Sequence, residues 1–366
     1  MLISPRPVSA IVLEDRHRQV QPDWSQPVEA APSSRPVVAG QAVVVRGPDG
    51  LSVFSTAGQP LYTQTRQLTA EPVALNPHCL VVAGPDSVEA LDPLTGRRLW
   101  QAEVSEARML TRASDQAVAV RSRDRLTVLV EGKPAWTISV DPNLRGPRLG
   151  KDGNLLLWDG LTRPNWVGAQ ALDPTTGAQV WKVDRPTLTI NRFPMLDSVD
   201  SDGARVYLGY HAGQVEACDP AGNSLWKRQV AASPRLTAAE QLYVAGADDT
   251  VHSLAPASGD ETWKATAGRT EPSLGPALVT GGASGVTALD RASGRLDWQW
   301  TGAGPVAPAQ AADGRVYVQA EGQLLALDHQ VSLERQFEDA AARALPELRE
   351  EDGYLVVDGV YVPVGD

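Results

Sequence analysis

Eight short apolar runs recur along the chain, AVVVRG, CLVVAG, AVAVRS, LLLWDG, RVYLGY, QLYVAG, ALVTGG and RVYVQA, each closed by Gly or a polar turn. Apolar runs of this length bounded by turn residues read as strands. Downstream stand versions of one phrase: ALDPLTGRRLW (90–100), ALDPTTGAQVW (171–181), ACDPAGNSLW (217–226), SLAPASGDETW (253–263) and ALDRASGRLDW (288–298), with weaker copies ending at Tyr62 and Trp136. The unit predicts four strands. A first is often introduced by proline (Pro36, Pro72, Pro147, Pro194, Pro234, Pro272, Pro308), the second is the apolar run, a third closes on Leu-Asp, and a fourth ends in an aromatic. The Asp-x-x-x-Gly linker suits the tight turn between third and fourth strands, because Asp bonds local amides and Gly tolerates φ > 0. The aromatic is placed to wedge between neighbouring units.

Repeats of about 35–45 residues with four strands each are the signature of a β-propeller. Aromatics at 62, 100, 136, 181, 226, 263 and 298 close seven units and leave an eighth, around 306–328, without its outer strand. Trp24 precedes Tyr62 by the same 38 residues that separate Tyr62 from Trp100, so RQVQPDW is in register to be that strand. The expectation is an all-β, eight-bladed β-propeller over 1–331, closed by its N-terminal strand, which removes open sheet edges. A competing count lets Phe337 end an eighth outer strand and ALPELREEDGYLVVDGVYVPVGD begin a ninth blade. The preferred reading of 332–366 is a helix carrying Leu333, Phe337, Ala341, Ala344 and Leu348 on one stripe, followed by a hairpin at Asp358-Gly359.

Composition narrows the function classes. With 32 Gly and 28 Pro in 366 residues the chain favours short strands and turns, and no stretch approaches the roughly 18 apolar residues of a transmembrane helix. A net charge of −11 opposes nucleic-acid binding, which rests on neutralising phosphates. Positive charge is almost all Arg, with Lys only at 133, 151, 182, 227 and 264. Cys79 and Cys218, in strand-like stretches, read as buried free thiols. The N-terminus lacks the apolar core of a secretory signal and a cysteine for lipid attachment. As it stands the chain is therefore expected in the cytoplasm, and in the cell envelope if the true start lies elsewhere.

The phrase A-L-D-x-x-T-G-x-x-x-W, over roughly residues 20 to 330, resembles the repeat of the PQQ-like (quinoprotein-type) propeller family. That family includes quinoprotein alcohol dehydrogenases and the non-catalytic outer-membrane assembly factors of the BamB type. The enzymes carry a vicinal cysteine pair against the quinone, a Ca²⁺ site and a catalytic Asp. Here the cysteines lie 139 positions apart. No cofactor and no metal are expected, and Asp92, Asp173, Asp219, Asp290 and Asp328 read as turn formers. The resemblance is greater to the BamB type, whose partner-binding loop carries Pro-Ser-Leu-Ser-Leu-Arg. In WKVDRPTLTINR (181–192), Pro186, Leu188 and Ile190 match that run, Asn191 holds the Arg position and Arg192 follows one place late.

Read from the residues alone, Trp166 in GLTRPNWVG lies in an expanded turn beside Arg163, and with the long 183–202 connection predicts a partner-binding face. The five histidines show no zinc-ligand spacing, and no nucleophile elbow, P-loop or dinucleotide fingerprint occurs. Carboxylate pairs assembled in space stay open. The expected function is a non-catalytic, monomeric interaction scaffold for a protein or peptide partner, with Arg163, Trp166, Leu188, Ile190 and Arg192 as contact residues. The alternative is an enzyme or small-ligand binder with its site in the central channel, which requires clustered, perturbed carboxylates there. A third reading makes 332–366 the contact to another chain.

Overall fold

A computed structural model describes residues 19–29, 35–159, 166–186, 195–310 and 314–328, together with three short strands at 349–351, 354–357 and 360–363. Seven consecutive four-stranded antiparallel sheets run from a first blade of Val37–Ala39, Ala42–Arg46, Gly50–Ser55 and Pro60–Thr65 to a seventh that ends in Leu296–Thr301. The eighth takes Ala309–Gln310, Val316–Ala320 and Gln323–Leu327 from the end of the repeat array and its outer strand, Pro22–Pro27, from the beginning. The eight-bladed propeller closed by its N-terminal strand is thus formed as the spacing predicts. Phe337, the rival candidate for that outer strand, lies outside the described residues, as does the expected helix.

The apolar second strands are buried on both faces because each blade is sandwiched between two others. In blade 1, Ala42 and Val44 pack toward Leu80, Val82 and Leu91 of blade 2, whereas Val43 and Val45 pack toward Tyr317, Leu324 and Ala326 of blade 8. Among the described residues, each junction between adjacent blades holds its own apolar cluster. The core is a ring of interfaces around an axis, and no single centre exists. Cys79 and Cys218 are buried free thiols, and burial pushes Cys218 up to about 11.

Two expectations need correction. The aromatics do not end the outer strands: Trp100 is the third residue of Arg98–Glu103 and Trp181 the third of Gln179–Pro186. Trp100 sits just past its own turn, where it lies over Gly132 in the corresponding turn of the next blade. Pro147 does not introduce its strand but lies inside Leu144–Leu149, where the ladder skips from Arg145↔Trp158 to Arg148↔Leu156. Proline supplies no ladder donor, and the strand bulges there. In the tail, Val357 pairs with Val360 across Asp358-Gly359, and Arg349–Glu351 adds a third strand to that hairpin.

Candidate functional site

Antiparallel order sends the connections between second and third strands, and those from each outer strand to the next inner strand, to one face of the disc. We call it the entry face. Blade 4 consists of Leu144–Leu149, Leu155–Asp159, Trp166–Leu172 and Gln179–Pro186. Trp166 and Pro186 are direct cross-strand partners. The stretch that holds Arg163 and the chain after Pro186 therefore leave blade 4 from adjacent positions on this face, and the 183–202 connection that the sequence singles out is shorter than expected, because Gln179–Pro186 and Leu196–Ser201 are strands. Trp166 itself opens a strand and is not in an expanded turn. Arg163, Leu188, Ile190 and Arg192 lie outside the described residues.

Beside the roots of these segments is a cleft of about 330 Å³ at the axial end of blades 3 to 6. Arg108, Arg121 and Arg123 come from blade 3, Arg145 and Trp158 from blade 4, and Arg235 from blade 6. The bulge at Gly146-Pro147 explains the local geometry. Arg145 and Trp158 pair across the inner and second strands on the entry side of the bulge, and Trp158 stands over Gly146, where a Cβ would come within 3.3 Å of the ring. Arg121 is buried and donates to the Asp141 and Gly146 carbonyls at 2.9 and 3.4 Å, and burial lowers its pKa against the pull of Asp141. It buttresses the floor. The other four arginines are exposed.

The acidic group at this cleft is Asp197, which is buried and accepts from His211 Nδ1 at 2.8 Å, with Arg145 at 3.7 Å. Ser233 Oγ lies 3.2 Å from the same ring nitrogen. A Ser-His-Asp relay needs the imidazole to bridge its partners through its two different nitrogens. This trio lacks that arrangement.

On the other side of the bulge Arg148 reaches into the axis. It donates to the Leu236 carbonyl and pairs with Asp200 and Glu271, each contact at 2.9 Å. Asp200 also accepts from the Ala238 and Ser201 amides at 2.8 Å. Burial pushes its carboxyl up, and Arg148 and these amides pull it back. The channel does hold a perturbed carboxylate, but one committed to three donors that tie blades 4, 5 and 6 together. Repeat alignment alone offered a signal for the entry-face arginines, since Arg108, Arg145 and Arg235 all stand within one residue of the start of an inner strand. Their convergence came from the ring.

The family model described as outer membrane protein assembly factor BamB matches residues 21–108, 84–246 and 247–365. A curated outer membrane protein assembly factor BamB of Nitrosomonas eutropha is 29% identical over 143 residues, which span 36% of this chain and only 34% of that protein. Among solved structures, BamB of Moraxella catarrhalis superposes with a TM-score of 0.62 at 17% identity, covering 84% of this chain and 99% of its own. A computationally designed protein gives 0.60 at 16%, covering 82% and 98%. A quinohemoprotein alcohol dehydrogenase of Pseudomonas putida gives 0.57 at 12%, covering 85% and 76%. These structural likenesses speak for the fold. The residues here do not fit the quinone of the enzymes: Cys79 opens a strand of blade 2 and Cys218 closes one of blade 5, so no vicinal pair exists to stack on it.

Proposed function

This chain belongs to the family of the outer membrane protein assembly factor BamB, and from that membership we propose that it is a non-catalytic, monomeric interaction scaffold of the cell envelope. A cytoplasmic location, expected from the N-terminal sequence, finds no support among relatives named for outer membrane assembly. Among the described residues no helix is long and apolar enough to cross a membrane. We assign residues 332–366 to an extension of the 1–331 propeller.

The observation that carries the reading is the Trp166↔Pro186 pairing, which roots two long segments side by side on a rigid blade. Arg163 on one with Trp166 at its root, and Leu188, Ile190 and Arg192 on the other, supply the aromatic, arginine and aliphatic groups in which interface hot spots are rich. The saturated Asp200 and the geometry around His211 favour a binding role over catalysis.

Affinity capture from the source cell tests it, comparing the intact chain with a Trp166→Ala, Ile190→Glu double variant whose melting temperature matches. A stoichiometric protein partner, lost in the variant, is the expected result. Capture that is equal for both removes this face from the function, and a bound small molecule with no protein partner redirects attention to the channel.

A further inference from the structure

The entry-face cleft carries a charge opposite to that of the molecule. Its described lining has five arginines against the one aspartate, Asp197, whose charge is already shared by His211 and Arg145. The chain as a whole carries −11. Elsewhere on the propeller many arginines stand beside a carboxylate: Arg46 with Glu71, Arg66 with Glu89, Arg228 with Asp260, Arg269 with Asp249 and Arg291 with Glu240. At the cleft, Arg123 and Arg235 have no ion pair within 4 Å among the described residues, and Arg108 meets Glu106 only at 3.9 Å with both side chains exposed. Holding like charges together without partners costs free energy in the free protein, a cost that an anionic occupant removes.

The shape of that occupant follows from where the charges stand. The guanidiniums come from blades 3, 4 and 6, and Arg121 is tied to backbone carbonyls, so the exposed donors are carried by three separate blades and not by one element. A string of carboxylates matches spread guanidiniums, each able to accept in the bidentate manner. The Trp158 ring and Met109, which is 41% exposed, share the same lining and give apolar side chains a place to rest. A long polyanion such as a nucleic acid would be repelled by the acidic remainder of the disc.

We propose that this cleft binds an extended acidic peptide segment, carboxylates on Arg108, Arg123, Arg145 and Arg235 and an apolar residue against Trp158 and Met109. This deepens the scaffold reading and rests on it: the segment belongs to the protein partner, and the cleft sets its charge specificity beside the loops that anchor it.

The test uses purified full-length chain and a fluorescein-labelled octapeptide of Glu, Asp and one Leu, followed by fluorescence anisotropy. An otherwise identical Gln/Asn peptide serves as the neutral control. Saturable binding of the acidic peptide alone is expected, weakened at least about tenfold by the Arg145→Glu, Arg235→Glu double variant and by raised salt. Lys133→Glu, on the opposite face, should leave it unchanged. Arg123→Gln, at an exposed position with no ion pair among the described residues, provides a second and milder variant should the double reversal lower the melting temperature. Equal binding of the neutral peptide, indifference to both arginine variants, or full displacement by equimolar inorganic phosphate or by a single-stranded oligonucleotide would overturn the proposal. Because the peptide assay needs no cellular partner, its failure with capture intact sinks only the cleft, whereas loss of capture in the loop variant with peptide binding intact separates the two faces.

Discussion

Gly259 has φ +72°, and a Cβ built on it would come within 2.6 Å of the Trp226 ring, while Trp226 Nε1 donates to the Pro256 carbonyl of the same turn at 2.9 Å. The pattern repeats with Trp24 over Gly58, Trp136 over Gly177 and Trp263 over Gly294. The turn glycine is needed twice, for its backbone and for the neighbour's tryptophan, and the second need is what docks one blade on the next. Gly259→Ala is expected to cost about 1–2 kcal/mol for the left-handed backbone and a further ~1–3 kcal/mol for overpacking. Gly153, at φ +81° with nothing within 4 Å of the point where a Cβ would stand, separates the two effects. Gly153→Ala should show the backbone cost alone, of about 1–2 kcal/mol, when the two variants are compared by denaturant unfolding.

One element pair departs from that docking rule. Gly222, in the turn of blade 5, meets Arg185 and Val183 of blade 4 in place of a tryptophan ring. Arg185, on the outer strand Gln179–Pro186, donates to the Gly222 carbonyl at 2.7 Å and to Glu216 at 3.0 and 3.3 Å, and Tyr210 donates to Glu216 at 2.8 Å. An ion pair takes over the task of a tryptophan at the blade that also roots the proposed contact segments. Glu216 is buried, so Glu216→Ala strands Arg185 and should cost about 3–5 kcal/mol. Burial alone would raise the Glu216 carboxyl, but bonds from Arg185, Ser224 and Tyr210 outweigh it and hold the group below its ordinary value. A carboxyl depressed in the folded state contributes stability above the unfolded-state value and loses it as pH falls through the folded one. Thermal melts from neutral pH into acid should therefore decline below the ordinary glutamate range, and Glu216→Gln should flatten part of that decline.

At the scale of the whole molecule, stability depends on closing the ring. Pro22–Pro27 pairs with Gln323–Leu327, Trp24 packs 5.9 Å from Tyr317 and bonds the Thr56 carbonyl at 3.0 Å, and Val20 enters the cluster between blades 7 and 8. Removing residues 1–29 leaves the Gln323–Leu327 strand as an open edge and unseats a tryptophan whose truncation alone is worth about 3–5 kcal/mol. The shortened chain should melt earlier and associate on size-exclusion chromatography. Trp24→Ala, which keeps the strand, should lower the melting temperature without that association.

The eight blades, their four strands and the closing N-terminal strand were legible because each is encoded locally and then repeated: an apolar run, an Asp-x-x-x-Gly turn and an aromatic recur at a spacing that a single blade sets. The positions of the aromatics within their strands, the bulge at Pro147 and the exchange of a tryptophan for Arg185 at the blade 4–5 junction were not, because each depends on what the next blade presents. The candidate site shows the same division. Trp166 and the 183–202 stretch stood out as departures from the repeat, and that departure is what singles them out for the proposed contact face. Arg108, Arg121, Arg123, Arg145 and Arg235 are scattered over 128 positions and each is ordinary in its own unit. Only the curvature of the ring brings the starts of four inner strands to one axial mouth, and electrostatic fields sum over distance in space and not along the chain.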